Sequence, residues 1–241
     1  MGSVGFGWRS LLAGIAFPLA TITVTAVTMS AFWPTYFVRL TRETFRLPWI
    51  VHLHALIFTA FLLLLLVQMS VATIGWLRVH RSLGQLGVAY GAVVFTVGVA
   101  VAIGAPVLHV HAGEWTHARA AGSIVYSLSD MALFAGFFGA AMFWRQRLEW
   151  HRPLIVGAAV TIAFAATGRP PIVLLPEGLR VIVWLSPMLI IVGLELAAGK
   201  RPNAVTWISL FLLVAAWYRG YLLKSALVVK VGRAVLEAFL W

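Results

Sequence analysis

The chain has 241 residues, of which 62% are hydrophobic and only 10% charged, with a mean hydropathy of +0.97. Soluble domains carry about 25% charged residues, so an ordinary water-soluble enzyme is excluded; the lack of cysteine removes disulfides, thiolate metal sites and cysteine nucleophiles. Eighteen Lys and Arg against seven Asp and Glu give +11, but long apolar runs separate the cations, a pattern suited to anionic lipid head groups and not to nucleic acid.

A membrane-spanning helix takes about 20 mostly apolar residues, and seven stretches approach that length. The first, residues 11–33, follows Arg9 and is too long for the apolar part of a signal peptide, so a retained helix is expected. The second, 50–73, opens on His52 and His54. The third, 84–107, is entered through His80-Arg81-Ser82-Leu83 and left through His109-x-His111-x-x-Glu114-x-x-His117. The fourth, 121–144, carries Asp130 in mid-span; buried acids need partners, and a favourable fold would let Arg180 or Arg169 reach either Asp130 or Glu195 of the sixth span. The fifth, 154–168, follows His151-Arg152-Pro153-Leu154 and runs into Gly168-Arg169-Pro170-Pro171, which predicts a kinked or broken helix lined by protein rather than lipid. The sixth, 180–198, holds Glu195, and the seventh is 204–223. Lys224, near the end of the seventh, has no convincing counter-ion for a retinal Schiff base, and that comparison is set aside. Beyond Tyr221, Lys230, Arg233 and Glu237 fall on one helical face, which predicts an interfacial C-terminal helix over about 224–241.

The fold class is therefore an all-α, polytopic integral membrane bundle forming one transmembrane domain, 1–241, of about seven transmembrane helices. Trp33, Trp49, Trp76, Trp144 and Trp150 stand at predicted helix ends, where an amphipathic ring favours the head-group layer. On the face holding the N-terminus lie Arg9, Arg78, Arg81, Arg145, Arg147, Arg152, Lys200 and Arg201, with Glu149 as the one clear acid. The opposite face mixes Arg39, Arg42, Arg46, Arg119, Arg169 and Arg180 with Glu43, Glu114 and Glu177. The denser short loops make the N-terminal face cytoplasmic.

Two H-R-x-L segments, at His80 and His151, each open a helix rich in small residues. This suggests two related hairpins, helices 2–3 and 4–5, forming a four-helix core over about 50–170 with helices 1, 6 and 7 outside. Gly84, Gly87, Gly91 and Gly98, with Gly136, Gly139 and Gly157, either let helices pack closely or leave room for a flat cofactor.

The seven histidines gather at two faces: His80 and His151 at the N-terminal one, His52, His54, His109, His111 and His117 at the other. A b-type haem takes one imidazole on each side of its iron, and each group can pair two alternate helices. His52 and His54 lie roughly 200° apart on a helix, so only one of them faces a given site. The layout resembles the four-histidine, di-haem transmembrane cytochrome b family that includes the ascorbate-dependent ferric reductases. That resemblance implies haem b, up to two per chain, with His54 (or His52) and His117 as one axial pair and His80 and His151 as the other. It also implies electron transfer to a ferric chelate, a quinone or another redox partner. Arg169 is placed to hold a haem propionate or an anionic substrate.

The segments around His52-x-His54, His80-Arg81-x-Leu83-Gly84 and His151-Arg152-Pro153-Leu154 are also similar to an uncharacterised bacterial multipass family with HxH and HRxLG motifs. The bacterial inner membrane is the location expected on that basis. A rival chemistry places zinc, iron or copper on His109, His111, Glu114 and His117, as a metal-dependent enzyme acting on a lipid-like substrate. A third reading is a noncatalytic subunit packed in a larger membrane complex or a homo-oligomer. The haem reading is preferred, because alternate-helix histidines at both faces arise less easily by accident than one histidine-rich loop.

Overall fold

The computed structural model describes residues 7–42, 47–222 and 226–240; Glu43, Arg46 and Lys224 lie outside the described residues. The described chain is all helix apart from its connections: α1 Trp8–Phe32, α2 Trp49–Thr73, α3 Leu77–His111, α4 His117–Phe143, α5 Leu148–Ile162, α6 Glu177–Ala197, α7 Ala204–Leu222 and α8 Ala226–Ala238. Apolar runs become helices because lipid offers no partner to a free backbone N–H or C=O. Segments led by α1, α2, α3, α4 and α6 are long and apolar enough to cross a membrane, so this is an integral membrane protein.

The fifth span departs from regular helix where the sequence places its Gly-Arg-Pro-Pro. Fifteen α-helical residues of α5 are followed by a tighter 3-10 stretch, Ala163–Gly168. The two rise about 22 and 12 Å, together enough for a hydrocarbon layer of about 30 Å. The Trp184 Nε1–H of α6 donates to the Val160 carbonyl at 2.7 Å, close to the point where α5 tightens. In α1, the hydroxyls of Thr21, Thr25 and Thr28 donate to carbonyls one turn back at 2.7–3.0 Å, satisfying polar atoms that lipid could not.

The core is not partitioned as the sequence suggests. α5 is the central helix: Pro153, Leu154 and all residues from Val156 to Ile162 are buried, and it packs against α1, α4, α6 and α7. α2, expected inside, buries only Phe61, Leu62 and Leu65. The physical reason is side-chain size. Gly157, Ala158 and Ala159 let neighbours close around α5, whereas the leucine-rich α2 presents bulk to lipid on most sides. The two hairpins do form, with α3 against α2 and α5 against α4. Gly75, at φ 85°, allows the sharp turn between α2 and α3.

Three of the glycines, Gly91, Gly98 and Gly157, serve close packing, while Gly136 and Gly139 face open space. A Cβ at Gly91 would overlap the Phe138 ring, one at Gly98 would overlap Met131, and one at Gly157 would stand 2.9 Å from Phe137. Phe61, Phe134 and Phe138 then stack and edge together between α2 and α4, with ring centroids 5.4–6.2 Å apart.

The mid-span acid has a different partner from the one the sequence suggests. Asp130 of α4 pairs with Arg219 of α7, not with Arg180 or Arg169. Arg219 is 8% exposed. Its guanidinium lies 4.2 Å from the Tyr126 ring centroid and 4.8 Å from that of Phe164, and Nη1 donates to the Ala216 carbonyl at 2.9 Å. α8 follows, with Lys230, Arg233 and Glu237 on an exposed face as their spacing implies. Its apolar face is covered by the bundle: Leu236 packs with Val107, Ala120 and Ile124, and a Cβ at Gly232 would stand 2.5 Å from the Ala121 carbonyl oxygen.

Removing one partner of a buried pair leaves an uncompensated charge, at a cost of about 3–5 kcal/mol. Asp130→Ala should therefore lower the unfolding temperature in detergent sharply. The double variant Asp130→Leu/Arg219→Met should recover most of the loss, and equal destabilisation by single and double variants would contradict the pairing.

Candidate functional site

Two histidines hold equivalent places. His80 is the fourth residue of α3 and His151 the fourth of α5. Each sits in the first turn of the second helix of a hairpin and points its Nδ1 back at the first helix. His151 Nδ1–H donates to the Ala141 carbonyl of α4 at 2.9 Å. His80 Nδ1 lies 3.2 Å from the Gln68 carbonyl of α2. With its amide nitrogen turned toward His80, the Gln68 side chain donates to Nδ1 at 2.8 Å and to the His80 carbonyl at 3.1 Å, while its oxygen accepts from the Gly84 N–H at 2.8 Å. The repeated H-R-x-L thus performs one job twice: its imidazole ties a hairpin together through Nδ1.

The opposite face is arranged differently. His52 Nδ1 is 2.8 Å from the Tyr36 hydroxyl, beyond the end of α1. His54 packs on Phe58 with ring centroids 4.0 Å apart, and its Nδ1 is buried without a hydrogen-bond partner. The charge of Arg169 reaches His54, and the Arg169 guanidinium lies 4.5 Å from the Phe32 ring centroid. His54 is therefore the inward member of the His52/His54 pair.

At the turn between α3 and α4, His109 Nδ1 meets Glu114 Oε2 at 2.6 Å, and its ring stacks on Trp115 at 4.4 Å. His111 and His117 are exposed. Of the four side chains considered for a metal, only His109 and Glu114 are brought together. Among the described residues, no group of three or more His, Asp or Glu side chains could hold a metal ion. His54 is half-buried while His117 is exposed, so these two do not form a shielded pair.

Sequence reasoning passed over three residues of consequence: Tyr36, Gln68 and Arg219. Arg219 had a usable signal, since a lone cation inside an apolar span calls for a partner. Gln68 and Tyr36 are ordinary residues until the fold sets them against histidines. Comparison with protein-family models, with curated proteins and with solved structures gives no match, so function must be argued from this geometry.

Exposure orders the histidines chemically. Brief treatment of the detergent-solubilised protein with diethyl pyrocarbonate should modify His111 and His117 first and His54 and His151 last, read by peptide mass spectrometry. Early modification of His54 would contradict its placement.

Proposed function

We propose that the protein is a membrane b-type haem protein that passes electrons within or across the bilayer, with His80 and His151 as axial ligands. The observation that carries this reading is the matched placement of the two imidazoles, each on the fourth residue of the second helix of a hairpin with Nδ1 facing a carbonyl of the first. Axial ligation through Nε2 requires the proton on Nδ1. His151 already donates that proton to the Ala141 carbonyl. His80, whose Nδ1 accepts from the Gln68 side chain, takes this tautomer once that amide turns away and Nδ1–H donates to the Gln68 carbonyl 3.2 Å off. Among the described residues, no hydrogen bond engages either Nε2. The donor set therefore fits two-imidazole ligation, with one ring from each hairpin.

A haem bound there would supply a one-electron iron couple. The chain's own contribution is to orient both rings through the carbonyls and to exclude water from the bundle beyond them. Phe138 closes the space beside Gly91, about 16 Å along α3 from His80, which confines such a site to the N-terminal end of the bundle. At the opposite face, His54 and Arg169 support binding of an anionic group, but the exposed His117 offers no shielded second ligand; one haem per chain is the proposed stoichiometry. A quinone or another small redox carrier is the proposed partner. The proposed location is the bacterial inner membrane with the N-terminal face cytoplasmic, supported by the cation-rich loops of that face.

The test is a dithionite-reduced minus air-oxidised spectrum and a pyridine haemochrome assay on protein expressed with added haem. Sharp reduced α and β bands and about one haem per chain are expected. His80→Ala and His151→Ala should each abolish the low-spin spectrum, and His117→Ala should leave it intact. A colourless preparation, or colour indifferent to His80 and His151, would overturn the proposal.

A further inference from the structure

At the N-terminal face, two adjoining clefts of about 380 and 600 Å³ open where the starts of α1 and α5 meet the turn between α6 and α7. Arg152 and Lys200 line both. Arg9 joins them in the smaller cleft, and Arg147 and Arg201 in the larger, where the acids are Glu149 and Glu195. Five cations thus meet two carboxylates. Among the described residues, the only ion pairs within 4 Å are His109–Glu114 and Arg219–Asp130, so none of the five cations is neutralised by direct pairing.

Three of the five have other contacts. The Arg152 guanidinium lies 5.1 Å from the Phe17 ring centroid, and that of Arg147 lies 4.7 Å from Trp150. Arg9 comes within 3.6 Å of the position a Cβ would take at Gly199, just past the C-terminal end of α6. The Asn203 side chain fixes the rim, donating to the Glu149 carbonyl at 2.7 Å and accepting from the Thr206 N–H at 3.0 Å. Glu195 Oε2 is buried without a hydrogen-bond partner, leaving an acceptor for a hydroxyl-bearing head group. Ala13 and Gly14 form the α1 wall, and Leu11 and Ile15 beside them are exposed on the lipid-facing surface, where an acyl chain can continue from a head group in the cleft.

We propose that this cleft binds the phosphate of an anionic lipid head group, with Arg152 and Lys200 as its principal ligands and Arg9 closing the smaller lobe. Basic pockets between transmembrane helices recognise phospholipid head groups in this way. The proposal is independent of the haem reading.

The test is native mass spectrometry of the full chain titrated with dioleoylphosphatidylglycerol, with dioleoylphosphatidylcholine and inorganic phosphate as separate arms. Phosphatidylglycerol should bind in preference to phosphatidylcholine. Arg152→Gln and Lys200→Gln should each weaken it about fivefold, whereas Arg78→Gln, which removes the same charge from α3 outside the cleft, should not. Lys200 is exposed, so its variant keeps the test decisive even where loss of the Arg152–Phe17 contact impairs folding. Competition by millimolar inorganic phosphate would support recognition of the phosphate itself. Phosphate binding without any preference for the anionic lipid would overturn the lipid source in favour of a soluble anion. Equal binding of both lipids, or equal weakening by Arg78→Gln, would overturn the site.

Discussion

A charge placed in the middle of a bilayer must find its opposite, and the Arg219–Asp130 pair is where this fold meets that requirement. It ties α7 to α4 across the face of α5, with Tyr126 and Phe164 flanking the guanidinium. Such a pair adds little net stability over apolar residues of similar volume, but either partner alone is strongly unfavourable. Its contribution is thus one of specification. It fixes the height of α7 against α4, and the chain continues from there into α8, which lies along α3 and α4.

Around that fixed point, packing rather than polarity orders the bundle. Helices in lipid gain no hydrophobic drive from meeting each other, so close backbone approach and ring insertion take its place. The glycines of α3 and α5 receive Phe138, Met131 and Phe137, which is why α5 becomes the central helix and α2 stays at the periphery. The histidines that open α3 and α5 then work at the hairpin ends, where turns leave backbone carbonyls within reach. One arrangement holds each hairpin closed and presents an imidazole, and the two hairpins present them at the same face.

Much of this was legible in the residues. The apolar runs locate the helices, because lipid forces every run to close its own hydrogen bonds; Gly168-Arg169-Pro170-Pro171 marks the end of the fifth helix for the same reason. The H-R-x-L repeat points to two comparable hairpins, and the structure gives both histidines the same helical position, each with Nδ1 facing a carbonyl of the preceding helix. Other features depend on rotation and depth, which spacing does not encode. Arg180 and Arg169 stand out in the sequence as partners for a buried acid because they flank the spans, whereas Arg219, inside an apolar run, is the residue that reaches Asp130. His109, His111, Glu114 and His117 are close in sequence, but the turn at Gly113 and the start of α4 at His117 direct them apart. His52 and His54 could be separated only by the fold, which turns one toward Tyr36 and the other toward Phe58 and Arg169.

The central claim is that the two hairpins set their opening histidines at one membrane face. A chain without cysteine suits pulsed electron resonance between pairs of introduced nitroxides at the exposed positions Arg81, Glu149 and Trp49. The Arg81–Glu149 distance should fall well below the Arg81–Trp49 distance, which spans the 25 residues of α2, about 37 Å. Equal distances for the two pairs would contradict a shared face and, with it, any site built from His80 and His151.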